Sequence, residues 1–276
     1  MKARDCRIKS VTDNRQKQIH SLLAAFFFPV LTCCIGFAAE GIFPFGSRSA
    51  LIIDGVHQYL GFYEEFLHQI GQGVWWTFSG HAMGYSFYSL FSYYLSSPFN
   101  FLILLFMQFL YVNEAVTLVV LLKIGLTGAF MAWYVLKKKP GQELTAVCTG
   151  CMYALSNYVL GYYSNLMWLD CVMLLPVFAW TIERLVQTGH WRIYAVVLGY
   201  CILSNYYMGF ILCVFSVLYF IAVYFEAGIS KGRWWKCWMK FSGASLLGGG
   251  TAAVILVPAV LSIAKTTAAK QVGLSG

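Results

Sequence analysis

The chain has 276 residues, of which 59% are hydrophobic and only 11% are charged, with a formal net charge of +8. Soluble domains carry about 25% charged residues, so this composition excludes a water-soluble globular protein. The basic residues lie in short clusters beside long apolar runs. Membrane orientation produces that arrangement, which argues against nucleic-acid binding. The sequence therefore predicts an all-α, polytopic membrane protein built as a helical bundle.

The first twenty residues are rich in Lys and Arg and precede an apolar run from Ser21 to Phe37. No small-residue cleavage site follows this run, and further apolar runs do, so it predicts an uncleaved signal anchor whose N-terminus is cytoplasmic. We expect residues 1–20 to form a cytoplasmic basic segment and residues 21–276 to form a transmembrane domain. The odd number of predicted spans suggests a fragment of a longer protein.

The later apolar runs alternate with basic clusters, and placing every cluster in the cytoplasm gives six further spans. They are predicted at Glu114–Leu136, Thr145–Tyr162, Leu166–Glu183, Trp191–Leu203, Tyr207–Phe225 and Phe241–Ala264. The run Phe99–Tyr111 is too short to span a bilayer comfortably. It is predicted to be an interfacial or half-inserted helix on the outer face. The expected total is about seven transmembrane helices.

The largest predicted non-membrane piece is the first outer loop, residues 38–98. Four aromatic residues in it fall at helical spacing, which predicts an amphipathic helix at the membrane surface. They are Tyr59, Phe62, Tyr63 and Phe66. Four glycines then predict irregular structure in the rest of the loop, namely Gly71, Gly73, Gly80 and Gly84.

Six short motifs, in order along the chain, resemble the YfhO family of bacterial membrane proteins. They are Asp54-Gly-Val-His-Gln-Tyr59, Tyr93-Tyr-Leu-Ser-Ser-Pro-Phe-Asn100, Leu122-Lys-Ile-Gly-Leu-Thr-Gly128, Tyr153-Ala-Leu-Ser-Asn157, Trp168-Leu-Asp-Cys-Val-Met-Leu-Leu-Pro176 and Ser204-Asn-Tyr-Tyr-Met-Gly209. The resemblance runs from about Ser21 to the end of the chain, and family members are longer. That family is similar to the GT-C glycosyltransferases. The resemblance therefore implies a GT-C-like bundle with a large first extracellular loop in the cell membrane.

The resemblance also implies an activity. GT-C enzymes transfer a sugar, with inversion, from a polyprenyl-phosphate donor, and the YfhO family is linked to glycosylation of lipoteichoic acid in the cell envelope. Such a reaction needs a base for the acceptor hydroxyl and donors or cations for the leaving phosphate. Asp54 matches the family position of the base, and its neighbours His57, Gln58 and Tyr59 are predicted to bind substrate. The alternatives are that Asp54 caps the following helix and that His57 is an ordinary surface histidine.

Lys123 lies near the middle of its predicted span, where a charge costs about 2.5–3.5 kcal/mol. It is predicted either to form a structural ion pair with Asp170 or to bind the donor phosphate, and both residues are candidates for substrate binding. Asn205 is a further substrate-binding candidate at an outer turn, although asparagine is common in turns for structural reasons.

No P-loop, zinc motif or nucleophile elbow is present in the sequence. We therefore expect no nucleotide cofactor, while a requirement for a divalent metal stays open. The main rival function is a transporter or flippase for a lipid or polysaccharide. A transporter should place ionisable residues near the midplane in both repeat halves, but Lys123 and Asp170 are the two convincing intramembrane charges. A third alternative is an inactive fragment.

Overall fold

The computed structural model describes residues 2–73, 80–81, 85–228 and 231–264. These residues are mainly α-helical, and the chain divides into two compact units. The first unit is built from Met1–Leu51 and Val116–Val177, and the second from Ile52–Ala115 and Phe178–Gly276. Together with the apolar composition, the helices make this an all-α, multi-pass membrane protein, as the sequence predicts.

The helices and strands follow one another along the chain with short connections. The α-helices are α1 (Lys2–Glu40), α2 (Leu60–Gly71), α3 (Phe87–Leu90), α4 (Asn100–Phe106), α5 (Val112–Lys138), α6 (Glu143–Ala154), α7 (Asn157–Tyr162), α8 (Leu166–Thr188), α9 (Arg192–Ser204), α10 (Tyr206–Glu226), α11 (Lys231–Thr251) and α12 (Ala253–Ala264). Two π-helices precede α2 and α4, the first at Gly55–Tyr59 and the second at Phe91–Leu95. Two strands, β1 (Gly80–His81) and β2 (Tyr85–Ser86), pair antiparallel.

Four helical segments are long and apolar enough to cross a membrane. They are Asn14–Glu40, Val112–Lys138, Leu166–Thr188 and Tyr206–Glu226. Two bent pairs add one span each if each pair is counted as a single span: Phe87–Leu95 with Asn100–Phe106, and Gly232–Thr251 with Ala253–Leu261. The described residues thus contain four to six candidate spans, in place of the seven expected.

Helix α1 begins at Lys2, so the basic N-terminal residues continue the same helix as the apolar run. Its large apolar side chains are strongly exposed, with 49% to 64% of their surface uncovered. They are Leu23, Phe27, Phe28, Leu31 and Ile35. Exposure on this scale suits a helix whose face contacts lipid, because hydrocarbon tails solvate apolar side chains without cost.

Small residues bring the helices of the first unit close together. Ala25 of α1, Ala132 of α5 and Ala146 of α6 are fully buried. A Cβ atom at Gly128 would collide with the carbonyl oxygen of Ala25, and one at Gly150 would lie 2.6 Å from the carbonyl oxygen of Gly128. Close backbone approach through Gly and Ala is the usual packing mode of membrane helices, and it fixes the position of α5, which carries Lys123.

The predicted span Thr145–Tyr162 is wrong as a continuous helix. It is divided into α6 and α7 at Leu155 and Ser156, where the backbone of Ser156 is extended. The Ser156 Oγ accepts a hydrogen bond from the Val159 N–H at 3.5 Å and so caps α7. The apolar pattern runs through this break without interruption, because a serine that caps a new helix differs little in sequence from a serine inside one.

Two later predicted spans also differ from the structure. Helix α9 has 13 residues and is about 20 Å long, which is shorter than a hydrocarbon core of about 30 Å. The last predicted span, Phe241–Ala264, corresponds to two helices, since α11 begins already at Lys231 and the chain bends by 67° before α12. The basic cluster that precedes Phe241 therefore lies on α11 and not in a connecting loop.

The amphipathic helix predicted within residues 38–98 is confirmed as a helix, and its place at the outer membrane surface stays a prediction. Helix α2 buries Tyr63, Phe66 and Gln69, while Gly61 and Glu64 are exposed. The short helix α4 falls within the predicted Phe99–Tyr111 segment and lies at 99° to Phe87–Leu95, as a broken span or a re-entrant loop does. Of the predicted irregular stretch after Gly71, residues 74–79 and 82–84 lie outside the described residues.

Candidate functional site

Asp54 lies immediately before the first π-helix, with φ −61° and ψ −27°. Its side chain is exposed and makes no capping hydrogen bond to the backbone that follows. Asp54 therefore occupies the N-cap position, but its side chain does not cap the helix, as the structural alternative requires. A carboxylate that is neither buried nor engaged in capping has both oxygens available to accept a proton or a hydrogen bond from another molecule.

The residue before Asp54 has an unusual backbone conformation. Ile53 has φ +48°, in the left-handed region that β-branched residues very rarely adopt. Its carbonyl oxygen accepts hydrogen bonds from the N–H groups of Val56 and His57, both at 3.1 Å. Such backbone strain costs on the order of 1–3 kcal/mol and is found most often at functional sites. The strained turn sets the direction in which the chain enters the π-helix, and it thereby positions Asp54.

The first π-helix places polar side chains on its outside. His57 and Gln58 are exposed, as Asp54 is, whereas Gly55 and Tyr59 are buried. π-Helical turns are rare and are frequent at functional sites. Three of the residues predicted to act on substrate thus form one exposed polar surface on a short helical segment.

An aromatic cluster joins the two π-helices. The ring of Tyr59 lies 5.4 Å from that of Tyr94, and Phe62 lies 4.9 Å from Tyr94. Tyr94 contacts Tyr93 at 4.6 Å, and Tyr93 contacts Tyr206 at 5.4 Å. These centroid distances are typical of favourable aromatic pairs. We call these five residues the aromatic cluster.

Burial raises the pKa of Tyr59, and the neighbouring Tyr94 and the negative charge of Asp54 raise it further. The phenol of Tyr59 is therefore neutral at physiological pH and keeps its proton for donation. The effect of Asp54 also shows that its carboxylate lies within electrostatic reach of the aromatic cluster.

Asn205 is fully buried and lies at the end of this cluster that contains Tyr93 and Tyr206. Its Oδ1 accepts a hydrogen bond from the Met208 N–H at 2.9 Å, which caps α10. Its Nδ2 donates to the carbonyl oxygen of Tyr93, also at 2.9 Å. Both halves of the amide thus have backbone partners, which favours the structural role, and substrate binding by Asn205 stays a prediction.

Lys123 and Asp170 belong to the first unit, and they lie together. The Lys123 Nζ donates to Asp170 Oδ2 at 2.5 Å and to the carbonyl oxygen of Leu166 at 3.0 Å. Neither side chain exposes any surface. The pairing that the sequence suggested is present, and contact of either residue with substrate stays a prediction.

Two features of the site are not among the residues that the sequence predicts. The aromatic partners Tyr93 and Tyr94 belong to one of the six family motifs, so the motif was a signal that pointed to them. The left-handed conformation of Ile53 had no signal, because isoleucine is among the residues least expected there. In the part of the chain that the structure describes, no group of three or more His, Cys, Asp or Glu side chains is placed to hold a metal ion.

The family model described as bacterial membrane protein YfhO matches residues 24–274. This range includes Asp54, the aromatic cluster, the Lys123–Asp170 pair and Asn205. No curated protein and no solved structure matches the chain. Because the family model covers nearly the whole sequence, the protein belongs to the YfhO family of bacterial membrane proteins.

Proposed function

We propose that this protein is a membrane glycosyltransferase in which Asp54 is the general base. It moves a sugar, with inversion, from a polyprenyl-phosphate donor to a cell-envelope acceptor such as lipoteichoic acid on the outer face of the membrane. The observation that carries the proposal is the exposed, uncapped carboxylate of Asp54 behind the strained Ile53. The association of the YfhO family with glycosyltransferase-like function supports it.

In this reaction the Asp54 carboxylate accepts the proton of an acceptor hydroxyl. The acceptor oxygen forms a bond to the anomeric carbon of the sugar, while the bond from that carbon to the lipid phosphate breaks. The electron pair of the broken bond leaves with the phosphate, and Asp54 is left protonated. A positioned base of this kind contributes about 10²–10⁴-fold to a rate, and its exposure suits a polymeric acceptor that is too large to enter a closed cavity.

The surroundings of Asp54 supply the other groups that the reaction needs. His57 and Gln58 are exposed hydrogen-bond donors on the same π-helical segment. The half-buried rings of Phe62 and Tyr94 provide flat apolar surfaces against which a sugar ring can pack. These residues form the substrate surface of the proposed site.

The outer-face location rests on the positive-inside rule. Lys137 and Lys138 lie in the last turn of α5. With the bent pair Phe87–Leu95 and Asn100–Phe106 taken as a re-entrant loop, assigning this basic helix end to the cytoplasm places the N-terminus of α1 inside. The chain then reaches Asp54 on the outside after one span.

The proposal is tested by Asp54→Asn, which removes the base while preserving side-chain volume. The protein is expressed from its complete reading frame, and transfer is measured in membrane vesicles with a labelled polyprenyl-phosphate sugar and lipoteichoic acid. We expect a loss of about 10²–10⁴-fold in the transfer rate. Glu64→Gln is the matched control, because Glu64 is an exposed carboxylate on the neighbouring helix α2, and it should transfer sugar at the normal rate. Equal transfer by Asp54→Asn and wild type, at equal membrane levels, would exclude Asp54 as the base.

A further inference from the structure

A second polar site lies in the second unit, where the C-terminal end of α8 meets the first turns of α11. A pocket of about 180 Å³ is lined there by Leu185–Gly189 of α8 and the following turn, and by residues of α11. Its charged lining residues are Arg233, Lys236 and Lys240. Among the described residues that line it, none is acidic. We call this the basic pocket.

The three cations belong to one side of a single helix. Residues three, four and seven apart lie on the same face of an α-helix, so Arg233, Lys236 and Lys240 project from successive turns of α11. All three are exposed. The Lys240 Nζ donates to the carbonyl oxygen of Gly189 at 3.3 Å. An ammonium group has three N–H donors, so Lys240 retains donors for a further partner.

Three like charges on one helical face repel one another and destabilise the helix. A bound anion would reverse that effect, and a phosphate group fits the donors best. The guanidinium of Arg233 matches two phosphate oxygens at once, and the lysines supply compact positive charge. The pocket therefore has the chemistry of a phosphate-binding site.

Neighbouring tryptophans indicate that the molecule carrying this phosphate is a membrane lipid. Trp234 and Trp235 lie in the same turns of α11, with their rings stacked at 6.2 Å and 42% and 66% of their surfaces exposed. Exposed tryptophan beside Lys and Arg is typical of the headgroup level of a membrane. Basic pockets between membrane helices at this level bind anionic lipid headgroups.

We propose that Arg233, Lys236 and Lys240 bind the phosphate of an anionic phospholipid headgroup in the basic pocket. This binding site is separate from the proposed catalytic residues and does not depend on the proposed transferase activity. The lipid would neutralise the charge on the first turns of α11 and hold the end of α8 against them.

The test measures lipid bound to the purified full-length protein by native mass spectrometry, with phosphatidylglycerol or phosphatidylcholine added. The variant is Arg233→Gln with Lys236→Gln, which leaves the Lys240–Gly189 hydrogen bond intact. The control is Lys137→Gln with Lys139→Gln, which removes the same charge from exposed residues at the end of α5. We expect phosphatidylglycerol to bind in preference to phosphatidylcholine. Its dissociation constant should rise by about tenfold or more in the pocket variant, equivalent to about 1.4 kcal/mol, and stay unchanged in the control.

Three outcomes would overturn the proposal. One is an unchanged dissociation constant in the pocket variant, and another is an equal loss in both variants, which would indicate diffuse charge attraction. The third is displacement of the lipid by glycerol 3-phosphate at equal concentration, which would assign the pocket to a soluble phosphate. The single change Lys236→Gln, at an exposed position, repeats the measurement if the double variant unfolds, and we expect the same direction with a smaller effect.

Discussion

The Nζ atom of Lys123 and the Oδ2 atom of Asp170 lie 2.5 Å apart, with no exposed surface on either side chain. The same ammonium donates to the carbonyl oxygen of Leu166, one turn before Asp170 on α8. This pair joins α5 to α8 at a single register within the first unit. Because the surroundings are apolar, loss of either partner would leave an uncompensated charge in a region that solvates charge poorly.

The ion pair can be tested by removing each charge and then both. Lys123→Met and Asp170→Leu should each destabilise the protein by about 3–5 kcal/mol, because breaking a buried pair strands the remaining charge. The double variant should recover most of this loss, since two apolar side chains of similar volume replace the pair. Thermal unfolding in detergent would measure all three variants.

Lys137→Met is the control for this series, because Lys137 is exposed at the end of the same helix, and it should leave stability nearly unchanged. Additive losses in the double variant would contradict the ion-pair role. If Lys123 instead binds the donor phosphate, the double variant should fold normally and fail to bind donor.

The left-handed backbone of Ile53 gives a second prediction. Ile53→Gly should stabilise the protein by about 1 kcal/mol, because the strain relieved, on the order of 1–3 kcal/mol, exceeds the backbone entropy that glycine adds to the unfolded state. The same change should lower the rate of sugar transfer, since the turn that positions Asp54 becomes less restricted. Thermal unfolding and the vesicle transfer assay measure the two effects.

Ile52→Gly is the matched control for that change, because Ile52 is an exposed neighbour without positive φ. Glycine there should destabilise by about 0.5–1 kcal/mol. If both glycine variants lost stability equally, strain at Ile53 would have no energetic role.

Asn205 gives a third prediction, because its two hydrogen bonds can be separated. Asn205→Ala removes both the α10 cap and the bond to Tyr93, and it should cost about 1–3 kcal/mol. Asn205→Ser retains a side-chain oxygen that can cap α10 but cannot reach Tyr93, so its loss should be smaller. Thermal unfolding distinguishes them, and equal losses would show that the cap contributes nothing.

Membrane orientation gives a fourth prediction. Ser47 is exposed in the loop after α1, and Lys139 is exposed at the end of α5. An impermeant thiol reagent added to intact cells should label Ser47→Cys but not Lys139→Cys, with the parent protein as the background. Labelling of Lys139→Cys alone would invert the orientation and would place Asp54 on the cytoplasmic side.

The sequence by itself determined the class of the fold and several of its parts. Continuous apolar runs of about 20 residues cross a membrane as helices, which satisfy their own backbone hydrogen bonds, so an all-α membrane protein followed from the length of these runs. The spacing of Tyr59, Tyr63 and Phe66 gave the amphipathic helix α2, because one helical face must be buried. The isolated charges Lys123 and Asp170 could be matched in advance, since each is costly in an apolar span without the other.

The tertiary structure decided where helices break, where the backbone is strained, and which residues distant in sequence are in contact. The break at Ser156 and the bend before α12 fall inside continuous apolar runs, where composition does not distinguish a long helix from two short ones. The left-handed turn at Ile53 runs against the preference of its own residue. The contact of Tyr59 with Tyr94, and the alignment of Gly189 with Lys240, bring together residues far apart along the chain. Such contacts depend on how whole helices pack together, so local sequence patterns do not predict them.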